Sequence, residues 1–118
     1  MPTISQKPPV FTLVYEILDW TLDRTAAFPR TQRSSLGRRL DELAIEAVER
    51  TLEAIYGTGS EKAPPLRTLN LLFEKQRVFW RLTERRGWIN QKQLFFIAGK
   101  VDEAGRMAGA WLKGPRPA

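Results

Sequence analysis

The sequence predicts an all-α protein, an up-down antiparallel four-helix bundle. Proline and glycine residues divide the chain into four segments of helical length. Within these segments apolar residues recur with the 3.6-residue period of an amphipathic helix, and no alternating pattern of useful strand length competes. Four helices joined by short connections pack as a bundle.

The first two predicted helices are bounded by proline and glycine. Residues 9–24 form the first, which begins with Pro9 because proline suits the first turn of a helix. It ends before Phe28, which the following proline steers away from helical geometry. Residues 31–56 form the second, and we expect Gly57 to supply a left-handed cap at its end.

The last two predicted helices are separated by a single glycine-containing turn. Residues 65–86 form the third helix, which Gly87 stops. Residues 90–113 form the fourth helix. Asn90 and Gln93, three positions apart, match a capping box at its start.

The length of the chain allows one domain. With 118 residues, 42% of them hydrophobic, it can bury one core but not two. We therefore expect one bundle over residues 9–113, with disordered segments at residues 1–8 and 114–118. Charged residues interrupt every apolar stretch before the roughly 18 residues that span a bilayer. We expect no membrane association and a cytoplasmic location.

Histidine and cysteine are both absent from the sequence. Their absence removes the usual zinc ligands, thiol nucleophiles and the commonest general base. Four glutamates line the side of the second helix opposite its apolar side: Glu42, Glu46, Glu49 and Glu53. Because a di-iron bundle also needs histidine, a solvated face explains them better. We expect no metal, no cofactor and no catalytic residue.

Two of the predicted helices carry a second apolar stripe, which one core cannot bury together with the first. These second stripes consist of Phe11, Tyr15, Leu18 and Leu22 on the first helix and Leu71, Val78 and Leu82 on the third. We expect them to form the interface of a homo-oligomer, because large exposed apolar patches mark interaction sites. The alternative is a monomer that offers these stripes to a different protein.

Positive charge is concentrated in the second half of the chain. Residues 60–118 contain twelve Lys or Arg and five Asp or Glu, against seven and eight in residues 1–59. Such an asymmetry is typical of nucleic-acid binding. The predicted phosphate or acidic-partner contacts are Arg67, Lys75, Arg77, Arg81, Arg85 and Arg86, with Arg33, Arg38 and Arg106 in second rank.

The centre of this set is a row of arginines. Arg77, Arg81 and Arg85 recur every four residues on the third helix and form a line that suits a phosphate backbone. A solvated helix face is the other interpretation, since Glu74 and Glu84 are near enough for weak helical ion pairs. The chain contains no base-reading module, so any binding is expected to be salt-sensitive and weakly sequence-selective.

Two segments of the chain resemble a known family. The first reads Phe-Pro-x-x-x-Arg-x-x-Leu-Gly over residues 28–37, and the second reads Gly-Arg-Met-x-Gly-x-Trp-Leu-Lys over residues 105–113. With the order of features over residues 11–113, they look like the accessory variability determinant (Avd) proteins of diversity-generating retroelements. The first segment is shared more loosely with four-helix proteins encoded within ribosomal RNA intervening sequences.

The resemblance implies an up-down four-helix protomer, assembled into a ring-like pentamer with a positively charged surface. It also implies a non-catalytic accessory factor that binds the element's reverse transcriptase and its template RNA or DNA, in support of mutagenic cDNA synthesis and retrohoming. Two alternatives stay open. One is an intervening-sequence-type bundle that is associated with RNA but has no transcriptase, and the other is an oligomeric scaffold that binds only proteins.

Overall fold

The computed structural model describes residues 7–114, which form four long helices and no strand. The predicted all-α class and the predicted number of long helices are confirmed. The helices are α1 (Pro9–Ala26), α2 (residues 30–56), α3 (Ala63–Arg85) and α4 (Gln91–Lys113). Helix α2 is built of three consecutive pieces, Arg30–Gln32, the π-helical Arg33–Gly37, and Arg38–Tyr56. A single 3₁₀ turn, Gly59–Lys62, leads into α3.

The helix ends follow local chemistry, with one correction. The capping box at α4 is present, with Asn90 Oδ1 accepting from Gln93 N and Gln93 Oε1 accepting from Asn90 N, both at 2.8 Å. Gly87 ends α3 with a φ of 79°, which favours glycine. The left-handed cap expected at Gly57 is wrong, since its φ is −71°. Glycine serves close approach there, because a Cβ would lie 3.0 Å from the Glu53 carbonyl oxygen.

The disorder expected for residues 1–8 and 114–118 falls almost entirely outside the described residues. Of these positions only Lys7, Pro8 and Gly114 are described, and Gly114 follows the last turn of α4 with a φ of 70°.

Neighbouring helices run in opposite directions around the core. Helix α1 packs against α2 and α4, and α3 packs against the same two helices. Along the α1–α4 seam, Glu16 pairs with Lys100 and the later Trp20 with the earlier Phe96, so these helices are antiparallel. These contacts are those of an up-down bundle. No helix among residues 7–114 is long and apolar enough to cross a membrane.

An aromatic cluster joins the helices at one end of the core. Trp80 of α3 lies edge-on to Trp20 of α1, with ring centroids 5.0 Å apart, and edge-on to Phe28 in the α1–α2 connection at 6.1 Å. Phe28 also contacts Trp88 in the α3–α4 connection at 5.4 Å. Because Phe28 and Trp80 are each 1% exposed, this cluster fixes both connections against the core.

The first recognised segment, residues 28–37, builds the joint between α1 and α2. Phe28 enters the core, and Arg33 Nε donates to the Phe28 carbonyl oxygen at 3.1 Å. Gly37 is buried at the end of the π-helical turn, where an added Cβ would lie 3.2 Å from the Gln32 carbonyl oxygen and 3.5 Å from the Phe28 ring. These motif residues therefore have a structural explanation within one chain.

Replacing the buried ring tests this packing. Phe28→Ala is expected to lower the free energy of unfolding by about 3–5 kcal/mol, as for other buried phenylalanines. Phe95→Ala is the matched control, because Phe95 is 66% exposed and its loss should change stability by less than about 0.5 kcal/mol. Urea denaturation followed by circular dichroism measures both. Similar stabilities of the two variants would contradict the placement of Phe28.

The pH dependence of stability tests the contact between α1 and α2. The Thr25 hydroxyl donates to Asp41 Oδ1 at 2.6 Å. Burial raises the pKa of the Asp41 carboxyl above its ordinary value; the Thr25 hydrogen bond opposes this shift and Glu42 adds to it. A raised folded-state pKa favours the protonated form, so this group's contribution to stability falls as the pH rises above the unfolded-state pKa.

Asp41→Asn keeps an acceptor for Thr25 without a charge. It is therefore expected to be more stable than the unchanged protein at about pH 7, with a gain that shrinks as the pH falls toward about 4. Melting temperatures across this range measure the effect. A variant that is less stable at neutral pH would contradict the assigned cost of burying the carboxylate.

Candidate functional site

A continuous groove follows the seam between α3 and α4. Three depressions succeed one another along this seam, and a fourth, lined by α4 and Gly114 alone, continues from them. Neighbouring depressions share residues: Arg81 with Leu94, then Arg77 with Asp102, then Gly105 with Arg106. We call this surface the α3–α4 groove. It is lined by Asn70, Phe73, Arg77, Trp80, Arg81, Leu82, Glu84, Arg85, Leu94, Phe95, Ala98, Val101, Asp102, Gly105, Arg106, Gly109, Ala110, Lys113 and Gly114.

The lining of the groove is basic. It contains five cations, Arg77, Arg81, Arg85, Arg106 and Lys113, against the two carboxylates Glu84 and Asp102. Among the described residues, Arg81, Arg85 and Arg106 are exposed and none of these three makes an ion pair. Their guanidinium groups are therefore free to bind an anion that enters the groove.

Arg77 is different from the other arginines in the groove. Its Nε donates to Asp102 Oδ1 of α4 at 2.7 Å, and its Nη1 donates to Glu74 Oε2 of α3 at 3.0 Å. Its side chain is only 29% exposed. Two carboxylates thus offset the charge that the sequence assigned to phosphate binding, and Arg77 instead ties α3 to α4.

Gly105 makes room for this inter-helix pair. A Cβ at position 105 would lie 2.9 Å from Arg77 Nη2, too close for an ordinary contact. By contrast, a Cβ at Gly109 would meet nothing within 4 Å. Gly105 therefore accommodates a side chain across the seam, whereas Gly109 leaves its side of the groove open.

The other predicted basic residues of α3 do not share the groove. Arg67 is exposed but does not line it, and the Arg86 guanidinium lies over the Trp88 ring at 5.9 Å. At about 100° per residue, Lys75 and Arg86 lie roughly 120° and 140° around the helix from Arg81. Of the six predicted first-rank contacts, three line the groove: Arg77, Arg81 and Arg85. Arg77 is offset by carboxylates, so only Arg81 and Arg85 present an uncompensated charge there.

The residues ranked second separate clearly. Arg33 holds the α1–α2 joint through its bond to the Phe28 carbonyl. The Arg38 side chain is 73% exposed on α2, on a different part of the surface, with a long 3.9 Å pair to Glu42. Arg106 lies in the groove beside Asn70, where it extends the line of cations along α4.

Sequence reasoning missed two groove residues, Phe95 and Lys113. Phe95 is the most exposed of the large hydrophobic side chains described, at 66%. The adjacent pair Phe95-Phe96 was the available signal, since residues about 100° apart on a helix cannot both face one core. Phe96 packs on Trp20 of α1, which leaves Phe95 on the α3 side.

The predicted oligomer-interface residues are mostly exposed, with one correction. Tyr15 and Leu22 of α1 are exposed and Leu18 is half-buried. Phe11 is only 6% exposed, because it packs into the core, so it is not available to a second subunit. On α3 the exposed residues are Leu71, Val78 and Leu82.

These residues make two separate apolar faces. We call Tyr15, Leu18 and Leu22 the α1 face, and Leu71, Val78 and Leu82 the α3 face. Helices α1 and α3 pack on the same two neighbours, so they occupy diagonal corners of the bundle. Two exposed apolar residues of α2 are not among the predicted interface residues: Ile45 and Tyr56, which are 43% and 45% exposed.

Within residues 7–114, no group of three acidic, histidine or cysteine side chains is placed to hold a metal ion. The glutamates of α2 instead include Glu42 and Glu53 in exposed ion pairs with arginines on the same helix. Comparisons with protein-family models, with curated proteins and with solved structures give no match.

The different states of Arg77 and Arg81 predict different stabilities of their alanine variants. Arg77→Ala removes a half-exposed pair between two helices and should cost up to about 1 kcal/mol at low salt. Arg81→Ala removes no ion pair and should change stability by less than about 0.5 kcal/mol. Urea denaturation at low and high sodium chloride measures both. The difference in unfolding free energy between the two variants should narrow at high salt, because salt screens the ion pair. Equal stabilities at low salt would contradict a stabilising pair between Arg77 and Asp102.

Proposed function

We propose that the protein is a non-catalytic accessory factor that binds nucleic acid along the α3–α4 groove. The observation that carries this proposal is a set of three exposed arginines along the groove, which make no ion pair within residues 7–114: Arg81, Arg85 and Arg106. Guanidinium groups in a line bind successive phosphates and release condensed counterions, which supplies affinity without reading bases. Binding along the groove is therefore salt-dependent and weakly sequence-selective.

The likeness to Avd proteins supplies the biological setting of the proposal. In that setting the chain acts in the cytoplasm, binds a reverse transcriptase and its template RNA or DNA, and supports mutagenic cDNA synthesis and retrohoming. The intervening-sequence-type alternative keeps the groove and the RNA but has no transcriptase partner. A neighbouring transcriptase gene and template repeat separate the two, as does a pull-down of the transcriptase by this protein.

The two apolar faces support self-association. The α1 face and the α3 face are different surfaces at diagonal corners of the bundle, so contact between them would be heterologous. A heterologous contact that closes on itself makes a ring. From the likeness to Avd proteins we propose a ring of five subunits. A ring would repeat the groove around its axis and multiply the positive charge presented to one strand.

Charge reversal in the groove tests the binding surface. A variant with Arg81→Glu, Arg85→Glu and Arg106→Glu is expected to bind RNA and DNA at least about tenfold more weakly. On a single strand the slope of log affinity against log salt should become shallower by about two, because three phosphate contacts are lost at roughly 0.7 each. Arg77 is left intact, since its reversal would also break the pair with Asp102.

The matched control carries the same charge change on α2. Arg30, Arg38 and Arg39 are exposed there, and their replacement by Glu also changes the net charge by six. The control variant should lose much less affinity than the groove variant in fluorescence anisotropy titrations. Equal losses would assign binding to net charge, and unchanged binding by the groove variant would contradict the proposed surface.

Mixing two interface variants tests the heterologous contact. Leu22→Glu disrupts the α1 face and Val78→Glu disrupts the α3 face, because each introduces a charge into an apolar contact. Each variant alone is expected to be monomeric by light scattering. A mixture should form a dimer, since each variant keeps the face that the other has lost. A monomeric unchanged protein, or variants that stay oligomeric, would contradict this interface.

A further inference from the structure

Phe95 occupies an unusual place for an exposed aromatic ring. It is 66% exposed near the start of α4, and it lines the same depression as Arg77, Arg81 and Asp102. Among the described residues it makes no ring contact with another aromatic side chain. Water therefore reaches a phenyl ring that lies within a basic groove.

The neighbouring residues show that this exposure is local to the groove. Phe96, the next residue, turns to α1 and packs on Trp20 with ring centroids 5.8 Å apart. Ala98, one turn after Phe95, is small and leaves space beside the ring on the α3 side. The depression around Phe95 has a volume of about 240 Å³, enough for a flat group to enter beside the ring.

We propose that Phe95 is a stacking platform for an unpaired base, so that the groove takes single-stranded rather than duplex nucleic acid. Aromatic rings within basic grooves bind successive bases of single strands in this way, and every base has a suitable face. A duplex hides the faces of its bases within its own stack, so it offers phosphates to the arginines but nothing to the ring. This inference rests on the proposed function.

The cations around Phe95 fit such a strand. Arg81 lines the same depression as the ring, and Arg85 continues the groove on one side while Arg106 and Lys113 continue it on the other. Phe95 and Lys113 are separated by eighteen residues of α4, or roughly 27 Å of helix. A groove of this length suits a strand of a few nucleotides, within the range of about 4–16 known for single-strand sites.

A second copy of the chain is the competing occupant of this surface. The charges next to Phe95 argue against it, since Arg81 and the Arg77–Asp102 pair lie in the same depression. A second subunit on this surface would remove the Arg81 guanidinium from water, which is costly unless that subunit supplies an anion. The α3 face is the better surface for a second subunit, since it is formed by three aliphatic side chains, of which only Leu82 also borders the groove.

The test compares two strands with equal numbers of phosphates. One is a fluorescent oligothymidine of about twelve nucleotides, and the other is the same strand with abasic sites in its centre. The unchanged protein is expected to bind the base-bearing strand more tightly. Phe95→Ala should bind it about fivefold to a hundredfold more weakly and should bind the abasic strand with unchanged affinity.

Two further variants separate stacking from apolar packing. Phe95→Leu keeps an apolar side chain without a ring face, so it should behave as the alanine variant does. Phe95→Trp enlarges the ring face, so it should match or exceed the unchanged protein on the base-bearing strand. The proposal would be overturned if the Phe95→Leu variant bound the base-bearing strand as tightly as the unchanged protein does. Equal affinity of the unchanged protein for both strands would also overturn it.

The outcomes distinguish this proposal from the one on which it rests. If the groove arginine variant binds both strands more weakly while the Phe95 variants bind both with unchanged affinity, the groove binds nucleic acid and the stacking role is wrong. If the unchanged protein binds neither strand, both proposals fail. If the Phe95 variants change only the mass in solution, Phe95 belongs to a subunit interface and the stacking proposal is overturned.

Discussion

The closed core of the bundle determines everything else in this structure. Four helices enclose one interior, so each helix can bury one stripe of side chains. Helix α3 uses its stripe for Leu69, Phe73 and Trp80, all within 1% of complete burial. The side chains at the other positions of α3 must lie on the surface of the bundle. In this chain they are arginines and a second set of large apolar residues. The surfaces that the core does not use are therefore the ones available to a partner.

The way α3 meets α4 decides the character of one of these surfaces. Arg77 bridges the seam to Asp102 above the space left by Gly105, which ties the helices together without covering their outer sides. The groove stays open on either side of this bridge, with Arg81 and Arg85 toward one end and Arg106 toward the other. One arginine is thus held in an ion pair across the seam, and Arg81, Arg85 and Arg106 lie exposed along the groove.

The sequence was informative wherever a local rule decides the structure. Helical periodicity and breakers predicted the four helices, and Asn90 with Gln93 predicted the cap of α4. Rotation around a helix is less reliable, because it does not show which side a neighbouring helix covers. For that reason Phe11 was predicted to lie in an interface, although it packs into the core of the bundle. Of the two partners of Arg77, Glu74 is three positions away and was visible in the sequence, whereas Asp102 is 25 positions away and no local pattern reveals it.

Photocrosslinking would test the central claim most directly, because it reports which residues touch the nucleic acid. A single strand that contains photoreactive thymidine analogues would be irradiated with the 118-residue chain at low and at physiological salt, and the crosslinked peptides would be identified by mass spectrometry. We expect crosslinks in peptides from both sides of the groove, around Arg81 on α3 and around Phe95 and Arg106 on α4. Crosslinks confined to α2, or spread evenly over the surface, would contradict a binding site in the α3–α4 groove.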